Sequence, residues 1–515
     1  MTSKIAHKDE KVQAQIVKRT APPTLDRLRT WIAKSANWKH DFVLGEHQLM
    51  MLSFSLHLPG ALAKAPCGSG KTATGLAYIN FMNEQKICDR FLVICRTSGI
   101  SRWQEDSVKC LKGYEIVVLR GRTADPAAIS YAPNTIHVVN WAVLKYWYST
   151  LKDTLCREKL CIIFDEIHNA KNPKRYKTSI GNDGKKKHQP LYTRSSCSAF
   201  LSRKAHRRLG VTATPVYDTP SDLWSIYDII EPGKWGRSDY EFKQRYTEAE
   251  HTGYGWKYSG TKRERELKGR GSWFTIEIEP SMVTGLPGLN ITKHIVPNSK
   301  PYKLTKAEIK KLKIKPKEAL SELANKAAKL KLKYVVKHLK EIIDDTQGQW
   351  YKTCVFVNQR EHVDILAKGI QDCGLKVYHA HGGTPIDQRD KILKEYYNTT
   401  DSAILIGTGQ AWGESGDIQC VNRGIIVTIP WSPTEVEQWV GRWNRKNPAP
   451  NVVSGVDVEF MVLENSYDER ILDIQSSKLE ALEALGHKGA SNVLDSLDGD
   501  DREQSLLDAI GGFLD

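Results

Sequence analysis

Hydrophobic and polar positions divide this chain into two series of short apolar runs separated by longer amphipathic stretches. In the first series the runs are Phe91 to Cys95, Thr135 to Val139, Leu160 to Phe164 and Leu209 to Thr212. In the second they are Thr353 to Val357, Ala403 to Ile406, Gly424 to Thr428 and Val458 to Leu463. Near-continuous apolar runs alternating with helical segments predict parallel strands covered on both faces. The expected fold is α/β, two parallel-sheet lobes in tandem, with residues 41–232 as the first lobe and 346–475 as the second. Residues 233–345 break the rhythm with Gly, Lys, Arg and aromatic residues and are expected to form a basic insertion and a helical segment. In that segment Leu320, Leu323, Ala327 and Leu330 are spaced for one helix face. Residues 1–40 read as a basic N-terminal extension with a helix near Leu25–Lys34, and 476–515 as a mobile acidic tail.

Composition narrows the classes. A chain of 515 residues can hold two or three domains. No apolar run reaches the length of a membrane-spanning helix, and the N-terminal residues lack the apolar core of a signal peptide, so secretion is not expected. The ten cysteines are scattered, without a C-x-x-C pair or a Cys/His cluster at zinc spacing. That pattern argues for free thiols in a reducing compartment and against a zinc module. The net charge of +15 points to a polyanionic partner, most simply nucleic acid.

The most informative run is Ala65-Pro66-Cys67-Gly68-Ser69-Gly70-Lys71-Thr72, between an apolar stretch and a helix-like one. A glycine-rich turn there aims backbone N–H groups and the positive end of a helix at one spot, which suits phosphates. Lys71 can reach the β/γ-phosphates of ATP, and the Thr72 hydroxyl can complete the shell of Mg²⁺. Ala65 stands where the first glycine of a phosphate loop is usual. About ninety residues on, the apolar run Ile162-Ile163-Phe164 ends in Asp165-Glu166-Ile167-His168, two carboxylates at the edge where open α/β sheets bind ligands. Asp165 is expected to hold Mg²⁺ through water and Glu166 to polarise the attacking water. His168 is expected to sense the γ-phosphate, and Thr212 and Thr214 in Val211-Thr212-Ala213-Thr214-Pro215 to couple that site to a neighbouring surface. In the second series Gln438-Trp439-Val440-Gly441-Arg442-Trp443-Asn444-Arg445 places Arg442 and Arg445 on one helix face, where they can act as arginine fingers.

The order of these blocks resembles superfamily 2 helicases and translocases, and within them the Snf2-like branch. Gln48 in Glu46-His47-Gln48 looks like the adenine-reading glutamine, and Leu92 to Glu105 is similar to motif Ia, with Arg96 in place of the usual proline. Asp165 to His168 with Lys171-Asn172 resembles motif II, Trp431-Ser432-Pro433 the lead into motif VI, and Asn465 to Arg470 the closing block. A weaker echo of the annealing-helicase subgroup runs through Phe242 to Tyr246 and Trp256 to Gly260. The motif V region, Gly407 to Asp417, fits loosely.

The resemblance implies two RecA-like lobes, ATP and Mg²⁺ as cofactors, Gln438 as a coupling residue, and duplex or branched DNA as partner. It further implies nucleic-acid contacts at Thr97, Ser98, Arg102, Asn358, Gln359 and Thr408, with Arg263, Arg265, Lys268 and Arg270 as candidates in the insertion. An RNA helicase, a DNA-binding scaffold with a decayed ATPase, and the motor subunit of a restriction or defence complex are the competing readings.

Overall fold

In the computed structural model the described residues are 23–97, 99–171, 175–180, 186–213, 220–236, 238–251, 256–259, 262–283, 285, 287–298, 305–314, 316–345, 351–371, 375–412, 418–430, 433–444, 449–452, 455–469 and 471–472. Ser98, Thr214 and Arg445 lie outside them, as do the acidic tail and the first 22 residues of the expected extension. The chain divides into two compact units, Met1–Ala65 with Gly70–Val283, and Pro66–Ser69 with Thr284–Asp515.

The first unit carries β1 (Gly60–Lys64), β2 (Arg90–Cys95), β3 (Glu115–Leu119), β4 (Thr135–Asn140) and β5 (Leu160–Asp165). The hairpin β6 (Tyr176–Ile180) and β7 (Lys186–Pro190) follows, then β8 (Arg207–Thr212), the hairpin β9 (Glu248–His251) and β10 (Trp256–Ser259), and β11 (Thr275–Glu277). Seven of these strands form one sheet in the order β11-β1-β8-β5-β2-β4-β3, with every pairing parallel. Its central strands are buried on both faces, which is why they read as unbroken apolar runs. The second unit carries β12 (Leu289–Val296), β13 (Lys352–Val357), β14 (Lys376–Ala380), β15 (Ala403–Thr408), β16 (Arg423–Ile426) and β17 (Val456–Leu463). These form a second wholly parallel sheet, β12-β17-β16-β13-β15-β14.

Residues of the 233–345 stretch contribute to both sheets, β11 beside β1 and β12 beside β17. The part before β11 is anchored by aromatics. Trp235 lies 4.7 Å from Tyr227 and 5.7 Å from Phe274 between ring centroids, and Phe242 and Tyr246 pack alongside. Of the expected extension, the helix Leu25–Lys34 is present, and Trp38 just beyond it is fully buried. The Ser35 hydroxyl and the Trp31 indole N–H both donate to Glu84 (2.6 and 2.8 Å), binding this segment to the helix Lys71–Glu84.

The long helix Pro316–Asp345 buries a different stripe from the one expected. Leu323 and Ala327 are buried, but Leu330 is 58% exposed, and the stripe continues through Lys331, Leu332, Val335, Leu339 and Ile342. The helical period brings Lys331, not Leu330, beneath Ala327. Its ammonium donates to the carbonyls of Val427 (2.5 Å) and Met461 (2.6 Å) and to Asp468 Oδ2 (2.5 Å), so the buried charge is paired and hydrogen-bonded.

Three tryptophans of the second unit sit where glycines leave them room. A Cβ at Gly407 would come 1.9 Å from Trp412, one at Gly409 2.0 Å from Trp439, and one at Gly424 2.0 Å from Trp443. Trp439 and Trp443, on the helix Pro433–Trp443, also pack on Phe356 of β13, at 5.1 and 5.0 Å between centroids. That buried face separates this helix from an ordinary solvated basic one.

Candidate active site

The turn after β1 opens the helix Lys71–Glu84. Gly68 (φ 79°) and Gly70 (φ 77°) take the left-handed conformation, which glycine adopts without a Cβ penalty. Ala65 is not among the positive-φ residues; its N–H donates to Thr212 O (3.0 Å) in ordinary extended pairing, so the usual first glycine is dispensable here. Gly70 caps the helix with no side-chain cap hydrogen bond, and a helix start of this kind suits an anion. Lys71 Nζ donates to Ala65 O at 3.0 Å. Pro66, Cys67 and Gly68 are partly exposed while Ser69 is buried, and Thr72 stands half-buried at the helix start. The Gln48 amide spans the turn: Oε1 accepts from Gly45 N–H (2.8 Å) and Nε2 donates to Gly70 O (3.1 Å). A Cβ at Gly70 would come 2.4 Å from that Nε2, a second reason for glycine there. Gln48 thus holds the loop in this structure.

The carboxylates lie at the C-terminal end of β5. Asp165 is gripped by two indoles, with Trp103 N–H donating to Oδ2 (2.9 Å) and Trp141 N–H donating to its carbonyl (2.9 Å). Trp103 reaches it across Gly75, where a Cβ would come 2.7 Å from the ring. Glu166 adopts φ 51°, a rare conformation for a residue with a side chain, and begins the turn Ile167–Ala170. Strain at such a position is characteristic of functional sites.

Around Glu166 runs a buried polar chain. His168 Nδ1 lies 2.9 Å from Thr212 Oγ1 and 3.2 Å from Glu166 Oε2, and the Thr212 hydroxyl donates to the same Oε2 at 3.4 Å. At the far side of the ring, His168 Nε2 is 3.1 Å from Arg96 Nη2. A guanidinium only donates, so Nε2 is the acceptor and the neutral ring carries its proton on Nδ1, facing Glu166 and Thr212.

These neighbours separate the two acids. Burial and the adjacent Glu166 push the Asp165 carboxyl up to about 6, against the Trp103 hydrogen bond and the Lys71 and Arg96 charges. For Glu166 burial acts in the same upward sense, but the His168 hydrogen bond and the charges of Lys71 and Arg96 outweigh it and hold it well below the usual carboxylate range. Burial lowers His168, and Arg96 adds to that, against the Glu166 hydrogen bond and charge that raise it, and the net shift favours the neutral ring. Two adjacent carboxyls with opposed proton affinities can divide metal holding from water polarisation.

The oxygen donors of Thr72 and Asp165, next to an anion-ready helix start, fit a hard dication with a polyphosphate. Of the remaining expected residues, Thr97, Asn358 and Gln359 are exposed, and Arg102 is half-exposed with Nε donating to Asp106 (2.7 Å). Thr408 is 4% exposed and its hydroxyl accepts from Ala411 N–H (3.2 Å) at the start of the short turn Gly409–Trp412. Gln438 and Arg442 are half-buried on the helix Pro433–Trp443. In the insertion Arg263 and Arg270 lie within 3.7 and 3.5 Å of Glu266, and Lys268 is paired with Glu264, while Arg265 is exposed. Arg96, Trp103 and Trp141 were not expected as site residues. The substitution of Arg96 for proline in motif Ia was the one signal that could have singled it out.

Two family models match the chain, "Type III restriction enzyme, res subunit" over residues 33–217 and "Helicase conserved C-terminal domain" over 333–447. The SWI/SNF-related matrix-associated actin-dependent regulator of chromatin subfamily A-like protein 1 of Xenopus tropicalis is 20% identical over 452 residues, 84% of this chain and 44% of that protein. The bovine (Bos taurus) DNA annealing helicase and endonuclease ZRANB3 is 21% identical over 479 residues, 88% of this chain and 42% of that protein. The chain therefore spans less than half the length of these curated relatives. The solved SWI2/SNF2 ATPase core of Sulfolobus solfataricus in complex with dsDNA is similar at 19% identity and TM-score 0.40, covering 88% of this chain and 94% of that one. With both halves of a helicase core matched, and the Ala65–Thr72 turn and the Asp165-Glu166 pair following strands of one parallel sheet, the chain is similar to the ATP-hydrolysing superfamily 2 helicases of the Snf2-like branch.

Proposed function

We propose that this protein is an ATP-dependent DNA translocase or helicase that couples hydrolysis to movement on duplex or branched DNA. The observation that carries the reading is the Glu166-His168-Thr212-Arg96 chain beside Asp165, because it sets one acid to hold a metal and its neighbour to act on water. The DNA partner is supported by the basic balance of +15 and by the annealing-helicase relative.

In this reading residues 41–232 are the nucleotide-binding lobe, 346–475 the second lobe, and 233–345 the basic insertion. Pro66 to Thr72 and Gln48 bind the nucleotide, and Thr72 and Asp165 hold Mg²⁺, which supplies charge neutralisation on the phosphates. Glu166 accepts the proton of the attacking water, with His168 and Thr212 holding its carboxylate. Arg442 stabilises charge on the transferring phosphoryl group, and Arg445, Thr214 and Gln438 complete the catalytic and coupling set. Thr97, Ser98, Arg102, Asn358 and Gln359 follow the DNA backbone, so binding is largely independent of sequence.

The test is ATP turnover with duplex, single-stranded and forked DNA and with single-stranded RNA. Duplex or fork should stimulate most, and Lys71→Ala should lose about 10²- to 10³-fold in turnover. Preferential stimulation by RNA would move the protein to the RNA helicases. A rate indifferent to every nucleic acid would remove the translocase reading.

A further inference from the structure

Outside the nucleotide site, the second unit gathers two histidines and a glutamate that no motif contains. Glu459 lies on β17 and His294 on β12, the edge strand beside it. Thr292 is in register with Glu459, so His294, two residues on, shares its face of the sheet. His338 comes down onto that face from the helix Pro316–Asp345, one turn beyond Val335 in its buried stripe.

The two imidazoles converge on one oxygen. His338 Nε2 is 2.7 Å and His294 Nε2 is 3.7 Å from Glu459 Oε2, and the three donor atoms all lie within 4.8 Å of one another. A tetrahedral zinc ion with bonds of about 2.0–2.1 Å separates its ligands by about 3.3 Å, which the two observed distances straddle. The other glutamate oxygen, Oε1, is 3.1 Å from Arg423 Nε, an ion pair beside the carboxylate. That guanidinium also lies 3.4 Å from Asp457 Oδ2. Two carboxylates therefore face one arginine. Glu459 and His338 are largely enclosed, while the His294 side chain is about one-third exposed, leaving a route in.

We propose that His294, His338 and Glu459 form a binding site for a divalent transition-metal ion of the zinc class, separate from the nucleotide site. Two imidazole nitrogens and one carboxylate oxygen suit Zn²⁺ or Co²⁺ and disfavour Mg²⁺. Three protein ligands leave a fourth position for water. The ion would fasten the edge strand β12 to the long helix and to β17, three elements far apart in the chain. The inference does not rest on the proposed DNA activity.

The experiment titrates Co²⁺, then Zn²⁺, into chelator-stripped full-length protein. The expected result is one equivalent of Co²⁺ giving visible tetrahedral ligand-field bands, abolished by Zn²⁺. His294→Ala and His338→Ala should each weaken binding by more than about tenfold, with unchanged far-UV circular dichroism. Zn²⁺ should raise the melting temperature of the wild type and not of His294→Ala. If His338→Ala fails to fold, the one-third-exposed His294 decides the matter alone. Absence of a stoichiometric band, wild-type affinity in His294→Ala, or loss of the band when saturating Mg-ATP fills the nucleotide site would each overturn the assignment.

Discussion

In the proposed mechanism Arg96 acts through His168. By donating to Nε2 it keeps the imidazole proton on Nδ1, where it meets Glu166 and Thr212, and its charge helps hold both acids ionised. The Asp165–Glu166 pair takes up a proton near pH 6, so turnover should fall below that value as Asp165 loses its hold on the dication. Arg96→Met removes a cation that lowers both carboxyls, so the acid limb of the rate profile should move to higher pH and turnover should drop. An unmoved limb would deny Arg96 this role. The same shift has a stability sign. A carboxyl raised from 3.8 to about 6 on folding binds its proton better in the native protein, so its contribution favours folding below about pH 4 and is lost as pH rises through 6. Lys71, Asp165, Glu166, His168 and Thr212 could be singled out as candidates in the chain because their proposed roles fall in short runs. The service of Arg96 and Trp103 could not, because both reach the acid pair from the β2 side of the sheet.

Elements are shaped by what they must accommodate. The second sheet leaves space for tryptophans at Gly407, Gly409 and Gly424, so Gly424→Ala should destabilise the second unit by about 1–3 kcal/mol or more, seen as a lowered melting transition. Within the helix Pro316–Asp345, Lys331→Met would leave Asp468 buried without its cation and should cost about 3–5 kcal/mol. Adding Asp468→Asn should recover part of that loss; strictly additive effects would show that the two charges do not depend on each other. The expected stripe ending at Leu330 was displaced because periodicity alone cannot anticipate a lysine satisfied in the core by two carbonyls and a carboxylate.

For the whole molecule, the balance of 75 Lys and Arg against 60 Asp and Glu governs association more than fold. Binding to duplex DNA should weaken linearly on a log–log plot against salt, with little change between DNA sequences. A salt-insensitive affinity would contradict backbone tracking. Within the insertion the contribution should be unequal, since Arg263, Lys268 and Arg270 are engaged with glutamates while Arg265 is exposed. No described helix is long and apolar enough to cross a membrane, and the cysteines among the described residues are free thiols.

The chain by itself determined two parallel α/β lobes, and it singled out the Ala65–Thr72 turn and the Asp165-Glu166 pair as candidates, because apolar strand runs and short motifs are local in sequence. Tertiary structure decided the remainder: which sheet each part of the 233–345 stretch joins, and which helix face is buried. It also assembled the chain from Arg96 to Glu166 and the convergence of His294, His338 and Glu459. Those relations lie between elements far apart along the chain, and only the pairing and packing of the sheets bring them within hydrogen-bonding or ligating distance.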